Sequence, residues 1–150
     1  MFSSRPKRLA AMACASLTLA TGVVTTAATP AAAAPTFTID DSGLLSNGSR
    51  RLVVYTDGYM SGDIDWNADP LGSTPGDALR ARDLGADGWG VVAHASMPGE
   101  NRTASTQGHS SPYSTNWITG DLVEGTWVQL QMCMVKGEDS YCSSWYSAHA

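Results

Sequence analysis

The chain has 150 residues, and its nine lysines and arginines against 14 aspartates and glutamates give a formal net charge of −5. From residue 35 onward, six basic residues stand against all 14 acidic ones, a formal charge of −8. Because phosphate backbones and anionic membranes attract clustered lysine and arginine, this balance argues against a nucleic-acid partner and against a membrane surface.

The first part of the sequence has the pattern of a secretory signal peptide. A basic start, RPKR, precedes a run rich in alanine, leucine, valine and threonine that continues to Pro35. Threonines and Pro30 interrupt this run too often for a membrane span, and AAAAPT offers small residues for cleavage. We expect residues 1–34 to be a cleaved signal peptide and residues 35–150 to form a single secreted, extracellular β domain that has no membrane contact after cleavage.

Short strand-type segments follow one another along this domain. TFTID and RRLVVYTDGYM come first, and Asn47-Gly48 between them is a strong signal for a two-residue hairpin turn. After them come DALRARDL, GWGVVAHASM, TNWIT, GTWVQLQMCMV and SYCSSWYSA, with glycine or proline in nearly every gap. The pattern predicts an all-β fold, a small antiparallel β-sandwich or barrel of about seven strands.

Two stretches, 61–76 and 98–113, have the composition of loops. The second contains hardly any apolar residue, which is typical of a functional loop or of disorder, and of the two we expect disorder. In a third stretch, ARDLGADGWGVVAHA, Asp87-Gly88 predicts a hairpin turn. The alternation that resumes from Trp89 to Ala93 can then pack inward.

Cys133 and Cys142 are predicted to form a disulfide. They are the cysteines that remain after the expected cleavage, and an oxidising compartment would join them. A type II′ turn at Gly137-Glu138 would place Lys136 opposite Asp139 and Cys133 opposite Cys142, with Cα atoms about 4.5 Å apart. The disulfide is therefore expected to be structural.

The strand that carries Cys133 has one face more apolar than the other. That face holds Val128, Leu130, Met132 and Met134, and we predict that it packs in the core. On the partner strand, Tyr141 and Trp145 are expected to point to the same side.

The sequence contains no catalytic signature. It has no G-x-S-x-G element for a serine nucleophile, and His94, His109 and His149 are scattered. The cysteine pair has neither zinc-site spacing nor C-x-x-C spacing. The 14 acids could include a pair for glycoside cleavage, but sequence does not give the separation of two carboxylates. We therefore expect a protein that is not an enzyme, with a small secreted hydrolase as the alternative.

Calcium is the cofactor that the sequence suggests. In DIDWNADPLGST, Asp63, Asp65, Asn67 and Asp69 occupy positions 1, 3, 5 and 7 of a twelve-residue loop, where oxygen ligands belong. Position 6 lacks the glycine and position 12 the glutamate of an EF-hand, so the candidate is another type of calcium loop. Asp83 and Asp87 would be at most auxiliary ligands.

The sequence resembles a group of small exported proteins from actinobacteria, especially streptomycetes. The resemblance rests on the leader ending in AAAAPT, the unit DALRARDLGADGWGVVA and the closing GDLVEGTWVQLQMCMVKGEDSYCSSW. Most of those proteins are uncharacterised. The resemblance covers about the last half of the chain and implies export and a β fold, but it implies no activity and no functional residues.

These observations favour noncatalytic binding as the function. Tyr59, Trp66 and Tyr113, which composition places on loops, could stack on a sugar ring, and Asn67 could hydrogen-bond to it. We predict a secreted binding or surface-interaction module whose partner is a polysaccharide or an extracellular protein. Besides the hydrolase, a further alternative is an inhibitor or toxin-like protein in which the loop 98–113 enters the cleft of a partner.

Overall fold

A computed structural model of the chain describes residues 33–150, so the expected signal peptide lies almost wholly outside the described residues. The described part contains strands and no helix, and therefore no helix that could cross a membrane. The strands are β1 (Phe37–Asp41), β2 (Arg50–Thr56), β3 (Tyr59–Asn67), β4 (Ala78–Asp83), β5 (Gly90–Met97), β6 (Glu100–Ser105), β7 (Tyr113–Ser114), β8 (Ile118–Thr119), β9 (Trp127–Lys136), β10 (Asp139–Cys142) and β11 (Tyr146–His149).

The strands form two antiparallel sheets that pack against each other. The first sheet has the order β1-β2-β3-β4-β7, and β8 also pairs with β4. The second sheet has the order β10-β9-β5-β6, and β11 also pairs with β9. The prediction of an all-β antiparallel fold is confirmed, and of the two predicted architectures, sandwich and barrel, the structure has the sandwich. There are eleven strands instead of about seven, partly because β7 and β8 have only two residues each and the last predicted strand is divided into β10 and β11.

The core lies between the sheets and follows from the two-residue period of a strand. In β9, Val128, Leu130, Met132 and Met134 are fully buried, as predicted, because they share the face that meets the other sheet. Burying one such side chain stabilises the fold by roughly 1.5–3 kcal/mol. Other strands of both sheets complete the core with Leu52, Val54, Ile64, Leu79, Val91 and Ala93.

The hairpin of β9 and β10 has the predicted register and disulfide. Gly137 has a φ of +60°, which suits the first central position of the turn. Lys136 lies opposite Asp139 and Cys133 opposite Cys142. The two cysteines are joined, with their Cα atoms 4.0 Å apart.

The prediction for the partner strand holds for Tyr141 and is wrong for Trp145. Tyr141 lies opposite Met134, and its ring centroid is 5.4 Å from that of Phe37 on the other sheet. Between β10 and β11 the register shifts by one residue, so Tyr146 lies opposite Leu130 and packs against the core. Trp145, in the connection between the strands, is half-exposed because this shift reverses the alternation.

Both stretches that were predicted as loops contain strands. β3 extends to Asn67, because Asp63 and Asp65 face away from the core and pair with arginines on the neighbouring strands. β6 lies within 98–113, where alternate residues such as Ala104 are buried. Composition missed these strands because strand propensity depends on the neighbours across the sheet.

The two-residue hairpin turns predicted at Asn47-Gly48 and Asp87-Gly88 are not formed, in contrast to the one at Gly137-Glu138. Between β1 and β2, the hydrogen bond of the turn runs from the Gly48 amide to the Leu45 carbonyl, so Gly48 follows the two central residues of the turn. Asp87-Gly88 lies between β4 and β5, which belong to different sheets, so residues 84–89 form a crossover. In each case the glycine adopts the expected positive φ, but the residue pair alone does not specify which strands the turn connects.

Candidate functional site

The two aspartates at the start of the predicted calcium loop bind arginines. Asp63 is fully buried, and its carboxylate accepts hydrogen bonds of 2.7 Å from Nε and Nη2 of Arg82 and a further one from Arg51. Asp65 accepts a hydrogen bond of 2.6 Å from Nη2 of Arg80. Because Asp63 lies opposite Arg82 and Asp65 opposite Arg80, the pairs follow from the register of β3 and β4. We call these five residues the charge lattice of the first sheet.

Asn67 and Asp69 do not join these aspartates around a common centre. The side-chain amide of Asn67 donates hydrogen bonds of 2.6 Å to the carbonyl oxygens of Asp69 and Pro75, so its nitrogen is directed at the following turn. In the described part of the chain, no three His, Cys, Asp or Glu side chains are grouped so that they could hold a metal ion. The calcium hypothesis therefore conflicts with the arginine pairing, because a cation would have to displace guanidinium groups.

Trp66 lies in the core and is 1% exposed, so it is not the loop residue that the sequence suggested. It shares the inner face of β3 with Ile64, opposite the face of Asp63, and its indole N–H donates to the carbonyl of His149 at 3.1 Å. The prediction that Trp66 lies exposed on a loop and stacks on a sugar ring is therefore wrong.

Tyr59 and Tyr113 come to the same end of the sandwich. Tyr59 begins β3 and is largely exposed. Tyr113 begins β7 opposite Asp83, and its ring stacks on that of His109 with centroids 3.8 Å apart. Since Asp83 in turn lies opposite Gly62 of β3, both tyrosines flank the end of the first sheet where β4 leads into the crossover.

A cavity of about 500 Å³ opens at this end of the sandwich. Its walls come from the end of β4, the crossover 84–89, the residues after β6, and the turn between β9 and β10. The side chains that give it chemical character are Asp83, Trp89, Gln107, His109, Ser111 and Lys136.

The wall that follows β6 is fixed by Thr106. This fully buried residue donates its amide to the Val91 carbonyl at 2.9 Å, and its hydroxyl accepts from the Val91 amide at 2.8 Å. His109 then donates its amide to the Thr106 carbonyl at 3.1 Å. At Gly90 a Cβ atom would lie 3.0 Å from Cα of Gln107, so glycine permits this close approach. The predicted disorder is therefore wrong for this segment.

Asp83 supplies a buried carboxyl group to the cavity. The alternation of β4 places it on the inner face with Leu79 and Ala81, and it is 3% exposed. Burial raises the pKa of Asp83, a hydrogen bond of 3.1 Å from the Gly85 amide lowers it, and the negative charge of Asp87 raises it. Among the described residues no basic side chain forms an ion pair with Asp83.

Lys136 differs in its pairing from the other basic side chains between positions 33 and 150. All five arginines in this part of the chain pair with a carboxylate, whereas Lys136 forms no ion pair there. Its ammonium group lies 6.0 Å from the ring centroid of Trp89, at a distance where a cation–π attraction begins to act. The cavity thus has one cationic donor that is not already committed to an acid.

Two buried polar atoms near the cavity have no hydrogen-bond partner within the described part. They are Oδ2 of Asp87 and Oγ of Ser111, in the cavity wall, although Ser111 lies near enough to Asp83 to lower the pKa of that carboxyl. Asp87 and Tyr59 line a second cavity of about 400 Å³, which shares Gly85 and Ala86 of the crossover with the first. Unpartnered buried oxygens cost stability, so they are groups that a bound ligand or water would satisfy.

The residues of this cavity were not grouped by sequence reasoning. Asp83, His109 and Lys136 come from three separate elements, and no local pattern connects them. His94, by contrast, lies on β5 with Nδ1 3.2 Å from Oγ1 of Thr103 and takes no part in the cavity.

The chemistry available here is that of a polar binding site. The side chains in its wall include an indole, an imidazole, an ammonium, a carboxyl and hydroxyl groups, and five glycines also line it. Comparison with protein-family models, curated proteins and solved structures finds no match for the chain.

Proposed function

We propose that the chain is a secreted, noncatalytic binding module that takes a small carbohydrate in the cavity at the end of the sandwich. The observation that carries the proposal is the composition of the cavity wall, where the indole of Trp89 stands beside several side chains that can hydrogen-bond. The volume of about 500 Å³ lies within the range of roughly 300–1,000 Å³ that is typical of small-molecule sites.

The wall offers both kinds of contact that a sugar makes. A sugar ring has an apolar face of C–H groups, which packs on an aromatic ring, and a periphery of hydroxyl groups. Asp83 and Ser111 can accept hydrogen bonds from hydroxyl groups, and Lys136 can donate to them. A neutral ligand also avoids the repulsion that the charge of −8 would impose on an anion.

The disulfide supports the secreted location in this proposal. Structural disulfides form and persist in oxidising compartments, and Cys133 and Cys142 are joined. An expected signal peptide at residues 1–34 would take the chain to such a compartment.

Titration with soluble oligosaccharides tests the proposal. The probes are oligomers of glucose, xylose, mannose and N-acetylglucosamine, added to the secreted protein and followed by calorimetry. We expect at least one to bind and His109→Ala and Lys136→Met each to weaken it about tenfold, which corresponds to about 1.4 kcal/mol. Ser114→Ala, an exposed serine outside the cavity, is the matched control. Absence of binding to every probe at millimolar concentration, or unchanged affinity in both cavity variants, would contradict the proposal.

A small hydrolase is the second candidate, and one observation favours it. The cavity wall contains Asp83, His109 and Ser111, which are the residue types of the orienting carboxylate, the general base and the nucleophile of a serine hydrolase. Activity on ester and glycoside substrates that is lost in His109→Ala and retained in His94→Ala would establish this function in place of the noncatalytic one. His94 is the matched histidine control because it lies outside the cavity.

A further inference from the structure

The outward faces of the two sheets differ in charge. The first sheet carries the charge lattice, in which Asp63, Asp65 and three arginines pair across strands. In the second sheet, the outward positions of all five strands hold no Asp, Glu, Lys or Arg. Residues 33–150 contain 20 charged side chains, and none of them lies on the outward face of the second sheet.

Six polar side chains form the centre of this face, and the register places them in two rows. Thr103, His94 and Gln131 make one row, and Asn101, Ser96 and Gln129 make the other. We call these six residues the neutral face. Neighbouring strands lie about 4.8 Å apart and the rows about 6.8 Å apart, so the face is a regular grid of hydroxyl, amide and imidazole groups.

Hydrogen bonds hold several of these side chains against the sheet. Nδ1 of His94 lies 3.2 Å from Oγ1 of Thr103. The amide nitrogen of Gln129 donates to Oγ of Ser147 at 3.1 Å, and that of Gln131 donates to the Ser143 carbonyl at 3.0 Å. Their side-chain entropy is thus partly lost before any partner binds, which lowers the free-energy cost of docking.

Trp127 stands at one end of the neutral face. It is the first residue of β9 and is 62% exposed. Because side chains alternate along a strand, it points to the same side as Gln129 and Gln131. Its ring meets that of His149 edge to face, with centroids 6.2 Å apart. Tryptophan is mostly buried in soluble proteins, so an ordered, exposed indole beside a polar grid points to a stacking partner.

We propose that the neutral face and Trp127 dock the surface of an uncharged polysaccharide. Charge complementarity carries the choice of partner, because a neutral polymer can approach this face without any charged side chain having to lose its water. Hydroxyl and amide groups exchange hydrogen bonds with sugar hydroxyls, and the indole packs on a sugar ring. The proposal does not depend on the cavity, which is formed by other residues at the end of the sandwich.

Co-sedimentation with insoluble polymers tests the proposal directly. The secreted protein is mixed with microcrystalline cellulose and with chitin, and the bound fraction is measured at low and at high salt. We expect retention on at least one of these polymers, little change with salt because no ion pairs form, and at least a tenfold loss of affinity in Trp127→Ala. No retention on either polymer would overturn the proposal.

A matched pair of charge substitutions shows whether the neutral face is the surface used. Asn101→Asp adds a negative charge to the face with almost no change in size, whereas Thr38→Asp adds the same charge to an exposed position of the first sheet. We expect the first to weaken binding to the polymer at least tenfold and the second to leave it unchanged, with equal melting temperatures confirming that both fold. Equal affinities in the two variants would overturn the proposal.

Two further results separate this proposal from its rivals. If the protein is a dimer in solution and Asn101→Asp makes it a monomer, the face pairs with a second copy of the chain and the polysaccharide proposal is wrong. Retention on the polymer without binding of any soluble sugar would support this proposal and contradict the cavity function. The reverse result would contradict this proposal alone.

Discussion

At the scale of single residues, Trp66 and Trp127 carry the same side chain in opposite environments. Trp66 is 1% exposed among the core residues, and Trp127 is 62% exposed on the second sheet. We expect Trp66→Ala to reduce the free energy of unfolding by about 3–5 kcal/mol, because it leaves a cavity in the core. Trp127→Ala should change it by no more than about 0.5 kcal/mol. Denaturant unfolding of the two variants measures both values, and comparable losses would contradict the assigned environments.

Asp83 gives a prediction for the pH dependence of stability. Burial raises its pKa above the usual value of 3.8, so the folded state holds the proton more tightly than the unfolded state does. The stability that comes from this proton is complete below the unfolded pKa and is lost as the pH rises through the folded pKa. Asn keeps the acceptor for the Gly85 amide without the charge, so Asp83→Asn should be more stable than the natural chain at pH 7.

Melting curves between pH 3.5 and pH 7.5 measure this difference. The advantage of Asp83→Asn should shrink as the pH falls through the raised pKa and vanish below about 4, where both side chains are neutral. Asp87→Asn is a useful comparison, because it removes the neighbouring charge that also raises the pKa of Asp83. A variant that is less stable than the natural chain at pH 7 would show that the charged carboxylate stabilises the fold.

At the scale of elements, the β9–β10 hairpin is the part that local sequence determines best. Its turn, its register and its disulfide are all specified within the ten residues from Cys133 to Cys142. We expect the double variant Cys133→Ala, Cys142→Ala to lose roughly 2.7 kcal/mol of unfolding free energy on the chain-entropy model. The natural chain under reducing conditions should show a similar loss in denaturant unfolding. An unchanged stability would mean that the cross-link does not constrain the unfolded chain.

β3 and β6 could not be predicted in the same way, because what makes them strands lies elsewhere in the chain. Asp63 in isolation favours a loop, and it becomes a strand residue because Arg82 lies opposite it on β4. The glycine turns show the same limit. Gly48 and Gly88 have the positive φ that the sequence predicts, yet neither connects strands in a two-residue hairpin, since the pairing of strands is a property of the sheet.

At the scale of the whole molecule, the sequence predicted the packed β-sheets but not the cavity at the end of the sandwich. Alternation identified the core face of β9, and it leaves the opposite face for solvent or a partner. The cavity, however, exists because the ends of β4, β6 and β9 meet at one end of the sandwich. Asp83, His109 and Lys136 are at least 26 residues apart in sequence, so no periodicity or motif could have grouped them. The sequence predicts loop positions for Tyr59 and Tyr113, whereas they are the first residues of β3 and β7 and lie beside this end.

The charge pattern of the whole molecule gives a prediction for calcium. A specific site with a dissociation constant of about 10 μM would stabilise the fold by about 2.7 kcal/mol at 1 mM calcium. In a domain of this size, that gain would raise the melting temperature by at least several degrees. We expect calcium and magnesium at 1 mM to produce equal and small changes. The two ions screen the formal charge of −8 on residues 35–150 alike, and the oxygens of Asp63 and Asp65 already bind arginine. A rise of several degrees with calcium but not with magnesium, abolished in Asp69→Asn, would show instead that the loop rearranges to release its carboxylates from the charge lattice.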